Sequence, residues 1–163
     1  AALAPDSPDT AIAEGYYHYW GNLEYDRAIE AFDRALEVKP NSMLALRGKA
    51  YVLRRLGRFD EALASFEHIV TLDPLNADIP VDQAYLFWSM GRVGAAEERL
   101  DQARALGVSS GFLSLVEHLV LSSLGRLEEA RTVLGAPRPN TPDYLASGMI
   151  TLARYMRDRK SVV

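Results

Sequence analysis

Three histidines, His18, His68 and His118, are the side chains of this sequence best suited to metal binding or to proton transfer near neutral pH. They fall in three separate segments, no two share a helix face, and no HExxH stretch joins them, so neither a metal site nor a catalytic triad is expected. The chain has no cysteine, which removes thiol nucleophiles, zinc ribbons and disulfides together. A Gly-rich phosphate loop and a serine nucleophile elbow are also missing. The expectation is a non-enzyme that needs no cofactor and no metal. Recognition is the chemistry left, and its residues are Tyr, Trp and Arg, which bury much area at an interface while keeping a polar handle. They cluster as Tyr16, Tyr17, Tyr19 and Trp20, then as Arg47, Tyr51, Arg54 and Arg55, then as Tyr85 and Trp88.

A regular scaffold must hold these clusters, because one spacing runs through the chain. Ala28, Ala62, Ala96 and Ala130 stand 34 residues apart. Five residues before them come Leu23, Gly57, Gly91 and Gly125; three before, Tyr25, Phe59, Val93 and Leu127; four after, Phe32, Phe66, Leu100 and Leu134. Pro40, Pro74 and Pro142 keep the same phase, with Val108 in the third place. Glycine allows a tight, left-handed turn at a helix end, proline stops a helix, and alanine fits where two helices cross closely. Each unit therefore reads as helix, tight turn, helix. First helices are predicted at 9–22, 43–56, 78–90 and 112–124, and second helices at 25–38, 59–72, 93–105 and 127–135. Thr141 and Pro142 then start a last helix to about residue 159, with Leu145, Met149, Leu152 and Met156 on one stripe suited to covering the end of a stack.

In the second unit, Leu46, Ala50, Leu53, Gly57, Phe59, Ala62, Phe66 and Pro74 resemble the tetratricopeptide-repeat (TPR) pattern, and the resemblance covers nearly the whole chain. It implies an all-α, right-handed superhelical solenoid of about four helix-turn-helix units plus a C-terminal capping helix. The units would span 9–42, 43–76, 77–110 and 111–140, after a tail of an earlier repeat or linker at 1–8 and before the cap at 141–163. If Gly15 takes the small-residue slot held elsewhere by Ala50 and Ala84, the first unit carries one extra residue, which suggests a lengthened turn at 21–24. The stretch from Gly15 to Leu36 is similar to TPR regions of larger bacterial signalling proteins. With no initiating Met, the sequence is expected to be a piece of a longer protein.

The resemblance also places first helices on a concave side, where a partner peptide would lie. Leu46, Ala50 and Leu53 form the packing stripe of the second unit, which leaves Arg47, Tyr51, Arg54 and Arg55 on the adjoining face. The corresponding positions are Ile12, Tyr16, Tyr19 and Trp20 in the first unit, and Val81, Tyr85, Trp88 and Ser89, with Asp82 beside them, in the third. The fourth offers Leu115, Leu119, Ser122 and Ser123. The predicted groove is thus Tyr16, Tyr19, Trp20, Arg47, Tyr51, Arg54, Arg55, Asp82, Tyr85 and Trp88. Arg47, Lys49, Arg54, Arg55 and Arg58 make a basic island in a chain of net charge −4, favouring an acidic partner segment. Ile12 and Tyr16 stand where the chaperone carboxylate clamp would need Lys and Asn, so a chaperone tail is not the expected ligand.

The function expected is a protein–protein interaction scaffold; the alternative is a self-associating spacer or oligomerisation module. The acidic balance, with a pI near 5.4, argues against nucleic acid as partner. The longest apolar runs are far shorter than a bilayer span, so no membrane insertion is expected and the cytoplasm is the default compartment.

Overall fold

The computed structural model describes residues 7–135. The capping helix expected from residue 142, and most of the segment expected as the tail of an earlier repeat, lie outside them. Among the described residues the chain is all-α and folds as two compact units, divided between Ile79 and Pro80.

In the first unit, α1 (Pro8–Tyr16) runs into a π-helical turn (Tyr17–Asn22), followed by α2 (Tyr25–Val38), α3 (Met43–Arg55) and α4 (Phe59–Leu72). The second unit holds α5 (Ile79–Ser89, which begins at its boundary), α6 (Val93–Ala105), α7 (Gly111–Ser123) and α8 (Leu127–Gly135). Second helices sit at their expected positions, and first helices, the π turn included, differ from theirs by no more than one residue at an end.

The local causes are visible in the caps. Ser7, Ser42 and Ser110 each accept the backbone N–H three residues on, satisfying one of the free donors that open α1, α3 and α7. Gly57, Gly91 and Gly125 close α3, α5 and α7 with φ between 73° and 77°, a region that other residues avoid. The following N–H in each case reaches back to Leu53, Phe87 and Leu121, all at 2.9 Å. Ala28, Ala62, Ala96 and Ala130 are essentially inaccessible, and Phe32, Phe66 and Leu100 are buried one helical turn later. In the first unit the Phe32 ring is wedged between Gly15 and Gly48; a methyl group on either would come within 2.4–2.6 Å of it. Those glycines are therefore small for a packing reason, as the alanines are.

The first helix departs from expectation. Its extra residue is not taken up by a longer turn at 21–24; it lies inside the helix, which widens into the π turn. The Glu24 N–H reaches back six residues to the His18 carbonyl at 3.0 Å, where the same motif spans five residues from Arg58, Arg92 and Arg126. Tyr17 is the residue extruded, at 62% exposure. Leu23 then takes the place of the turn glycines with φ 57°, a left-handed conformation that costs a side-chain-bearing residue about 1–2 kcal/mol.

Candidate partner-binding faces

The π turn changes which residues of the first helix face outward. Counting from Gly15, Tyr19 was expected to match Arg54; with the insertion placed before it, Tyr19 matches Leu53 instead. It is 2% exposed and packed in the core cluster with Ile12, Phe32 and Val52. Trp20 moves into the position of Arg54 and stays 64% exposed, its ring tilted on Tyr19 at 4.5 Å between centroids. Tyr19 thus supports the outer face rather than forming it, with its hydroxyl 3.4 Å from Arg55 Nε. Ile12 is buried as well.

The other predicted residues of the first unit gather around Tyr16 and Tyr51, both partly buried. Tyr16 stands edge-on to Phe32, with ring centroids 5.1 Å apart, and donates its hydroxyl hydrogen to the Leu44 carbonyl at 3.3 Å. Tyr51 lies between Tyr19 and Phe66, 6.5 and 6.3 Å away, with the Arg47 guanidinium 5.8 Å above its ring. Arg47 also reaches Asp78 at 3.3 Å. The basic island is thus partly neutralised: Lys49 pairs with Asp33 at 2.6 Å, and Arg58 holds both oxygens of Glu61 at 2.7 Å. Arg54 is partly buried and Arg55 exposed at the C-terminal end of α3, where a positive charge is favoured by the helix dipole.

In the second unit, Tyr85 and Trp88 stack at 5.7 Å with planes 12° apart, and Phe112 meets Tyr85 edge-on at 5.6 Å. These rings cover Leu115 and Leu119 in a satellite cluster formed by α5 and α7. The Trp88 indole N–H donates to Ser123 Oγ at 3.0 Å, and Ser123 Oγ donates in turn to the Leu119 carbonyl at 2.9 Å. Asp82 is not on this face: it is 2% exposed, because it occupies the slot that is Gly48 in α3 and Val116 in α7, an interior position. Phe112 was missed by sequence reasoning, although its spacing from Leu115 and Leu119 puts all three on one helical stripe.

Two of the histidines have structural partners. His18 Nδ1 is 2.7 Å from Glu24 Oε2 across the π turn, and that hydrogen bond, with a second from Asn22, holds the Glu24 carboxyl below its ordinary range. His118 Nδ1 lies 2.9 Å from the Ala130 carbonyl, which ties α7 to α8. Among the described residues no three His, Asp or Glu side chains gather as metal ligands, and no helix is long and apolar enough to cross a membrane. Two of the acidic residues that open second helices, Glu61 in α4 and Glu129 in α8, serve as partners to the arginine before them. Arg126 binds Glu129 at 2.7–2.8 Å and reaches Glu97, so the Glu129 carboxyl is held below its usual range as Arg58 holds Glu61.

Paired antiparallel helices repeated at a fixed period define a helical-repeat protein of the interaction-scaffold class. The family is specific: one tetratricopeptide-repeat model matches residues 17–77 and another matches 53–110, together more than half the sequence, and the chain belongs to the TPR family. Human anaphase-promoting complex subunit 7 is 24% identical over 144 residues, which is 88% of this chain and 26% of that protein. The chain therefore spans about a quarter of the length of that relative. Among solved structures, the Cut9–Hcn1 hetero-tetramer of the same complex superposes with a TM-score of 0.74 at 18% identity, covering 90% of this chain and 26% of that one. The TPR2B domain of yeast Sti1, solved as a complex with pHsp70, superposes at 0.64 with 19% identity, covering 73% of this chain and 97% of that one. Both structural likenesses show the fold.

Proposed function

We propose that this chain, as a module of a larger protein, binds a segment of a partner protein along the outward faces of its first helices. One observation carries the reading: both units keep large aromatic rings only partly buried on those helices, Tyr51 beneath Arg47 in the first and Tyr85 against Trp88 in the second. A helix that needed these rings only for its own packing would bury them, as it buries Tyr19, Phe32 and Phe66. Tyr16, Trp20, Arg47, Tyr51, Arg54 and Arg55 are the contact residues assigned to the first unit, and Tyr85 and Trp88 those of the second, with Tyr19 and Asp82 as interior supports. The arginines of α3 suit an acidic stretch of partner. The repeats that present these faces are 9–42, 43–76, 77–110 and 111–140. The complex-forming relatives support protein recognition as the activity.

Self-association is the second reading, favoured by Tyr17, Trp20 and Leu23, which expose more than 60% of their surface within one short stretch.

Affinity capture from lysate tests the reading, comparing the parent with a Tyr51→Ala/Trp88→Ala variant. A protein recovered by the parent and lost by the variant, with helicity unchanged, supports it. Equal recovery by both overturns it. A mass that rises with protein concentration in ultracentrifugation, and falls on Trp20→Ser substitution, would move the assignment to self-association.

A further inference from the structure

One stripe of α3 is covered by α2. Ala45 and Gly48 on that stripe are buried, and a methyl group on Gly48 would strike the Phe32 ring of α2. The same two places of the repeat hold Ile79 and Asp82 in α5, and Leu113 and Val116 in α7, and these four side chains are buried as well. In α1 the places fall to Thr10 and Ala13. Thr10 is half-buried and Ala13 exposed, and Tyr17, next on the same stripe, is exposed too.

The stripe of α1 keeps the character of a helix contact. Thr10 and Ala13 are small, as Ala45 and Gly48 are, so another helix can come close. Beside them, Ala11 stands where α3 has Leu46, and a recess of about 340 Å³ opens there between Ala11 and Glu14 of α1 and Arg34 and Val38 of α2. The sequence indicates what fits. Pro5, Asp6 and Ser7 repeat Pro40, Asn41 and Ser42, the link by which α2 leads into α3, and Ser7 caps α1 through the same bond that Ser42 makes to α3. At that offset, residues 1–3 take the places of 36–38, the last of α2.

We propose that this stripe of α1 seats a second helix lying just upstream of residue 1 in the longer protein, packed on α1 as α2 packs on α3. The inference rests on the chain being a module of a larger protein. Charge narrows the occupant. Lys49 of α3 binds Asp33 of α2 at 2.6 Å, but the corresponding place in α1 holds Glu14, paired with Arg34. An acid opposite Glu14 would be repelled, so the upstream helix carries a basic or neutral residue in the place of Asp33, after a large apolar one in the place of Phe32.

The chain has no cysteine, so Ala13→Cys supplies one reporting thiol. Its maleimide labelling is timed in this chain and in the natural full-length protein carrying the same substitution, read by peptide mass. Ala64→Cys, at an exposed position of α4, is the reference. Labelling at residue 13 is expected to be at least about tenfold slower in the full-length protein, and labelling at residue 64 equal in the two. Equal rates at residue 13 would overturn the inference and leave the proposed function standing, since its capture test uses Tyr51 and Trp88. Labelling that slows in this chain alone as its concentration rises would also overturn it, because the occupant would then be a second copy. Ala13→Arg is the second variant. It should leave amide exchange of α1 unchanged in this chain and speed it at least about tenfold in the full-length protein; no change there would overturn the inference.

Discussion

The first helices of the two units occupy the same register yet present opposite chemistry. In the first unit, α3 carries Arg47, Lys49, Arg54 and Arg55, and its aromatic ring lies under a guanidinium. In the second, α5 and α7 bury or pair off their carboxylates and leave stacked rings over leucines. The second helices hardly differ: each puts an alanine into the crossing and, in α2, α4 and α6, a Phe or Leu one turn later. Fold and recognition are thus written in different columns of the repeat. The column that packs is confined by close approach, and the column that faces outward is free to vary.

The largest effect expected from testing this division lies in the packing column of the first unit. Phe32→Ala should cost about 3–5 kcal/mol in chemical denaturation, as for other buried Phe truncations. Gly48→Ala, whose new methyl would strike the same ring, should cost about 1–3 kcal/mol alone. In the Phe32→Ala background the Gly48→Ala cost should vanish, because the two changes share one contact. Equal costs in both backgrounds would mean that the glycine is small for another reason.

The next concerns the π turn. Deleting Tyr17 should return α1 to a regular α-helix with Tyr19 still in the core, and should shift the midpoint of thermal unfolding by less than about 5 °C. Deleting Val52, a buried residue of α3 where no residue is in excess, should abolish cooperative unfolding. If both deletions are equally damaging, the π turn is not where the extra residue sits.

The smallest effect is electrostatic. The Glu24, Glu61 and Glu129 carboxyls are held below their ordinary value, chiefly by hydrogen bonds from His18, Arg58 and Arg126. A depressed folded-state value stabilises above the unfolded-state value of 4.5 and is lost as pH falls through the folded one. Stability measured in titration should therefore be level near neutrality and decline from just above pH 4.5 downward, weakly, because all three groups are exposed and salt screens them. A decline that already begins near neutrality would contradict the assignment to these three carboxyls.

Most of the scaffold was legible because its signals are local: a turn glycine, a capping serine, an alanine at each crossing. The site was less so. Tyr16, Tyr17, Tyr19 and Trp20 are four aromatics in five residues, and hydrophobicity alone does not say which is extruded; the backbone decides by widening at Tyr17. Asp82 looked exposed because it is charged, whereas its slot is the interior one of Gly48. Phe112 escaped notice because it sits in the first turn of its helix, where the matching Leu44 is exposed.

The central claim is that first helices, not second helices, meet the partner. Amide hydrogen exchange of the full chain, alone and with its captured partner, tests it most directly. Slower exchange in α3, α5 and α7 on binding, with α2, α4 and α6 unchanged, is the result predicted; protection confined to α2, α4 and α6 would contradict it.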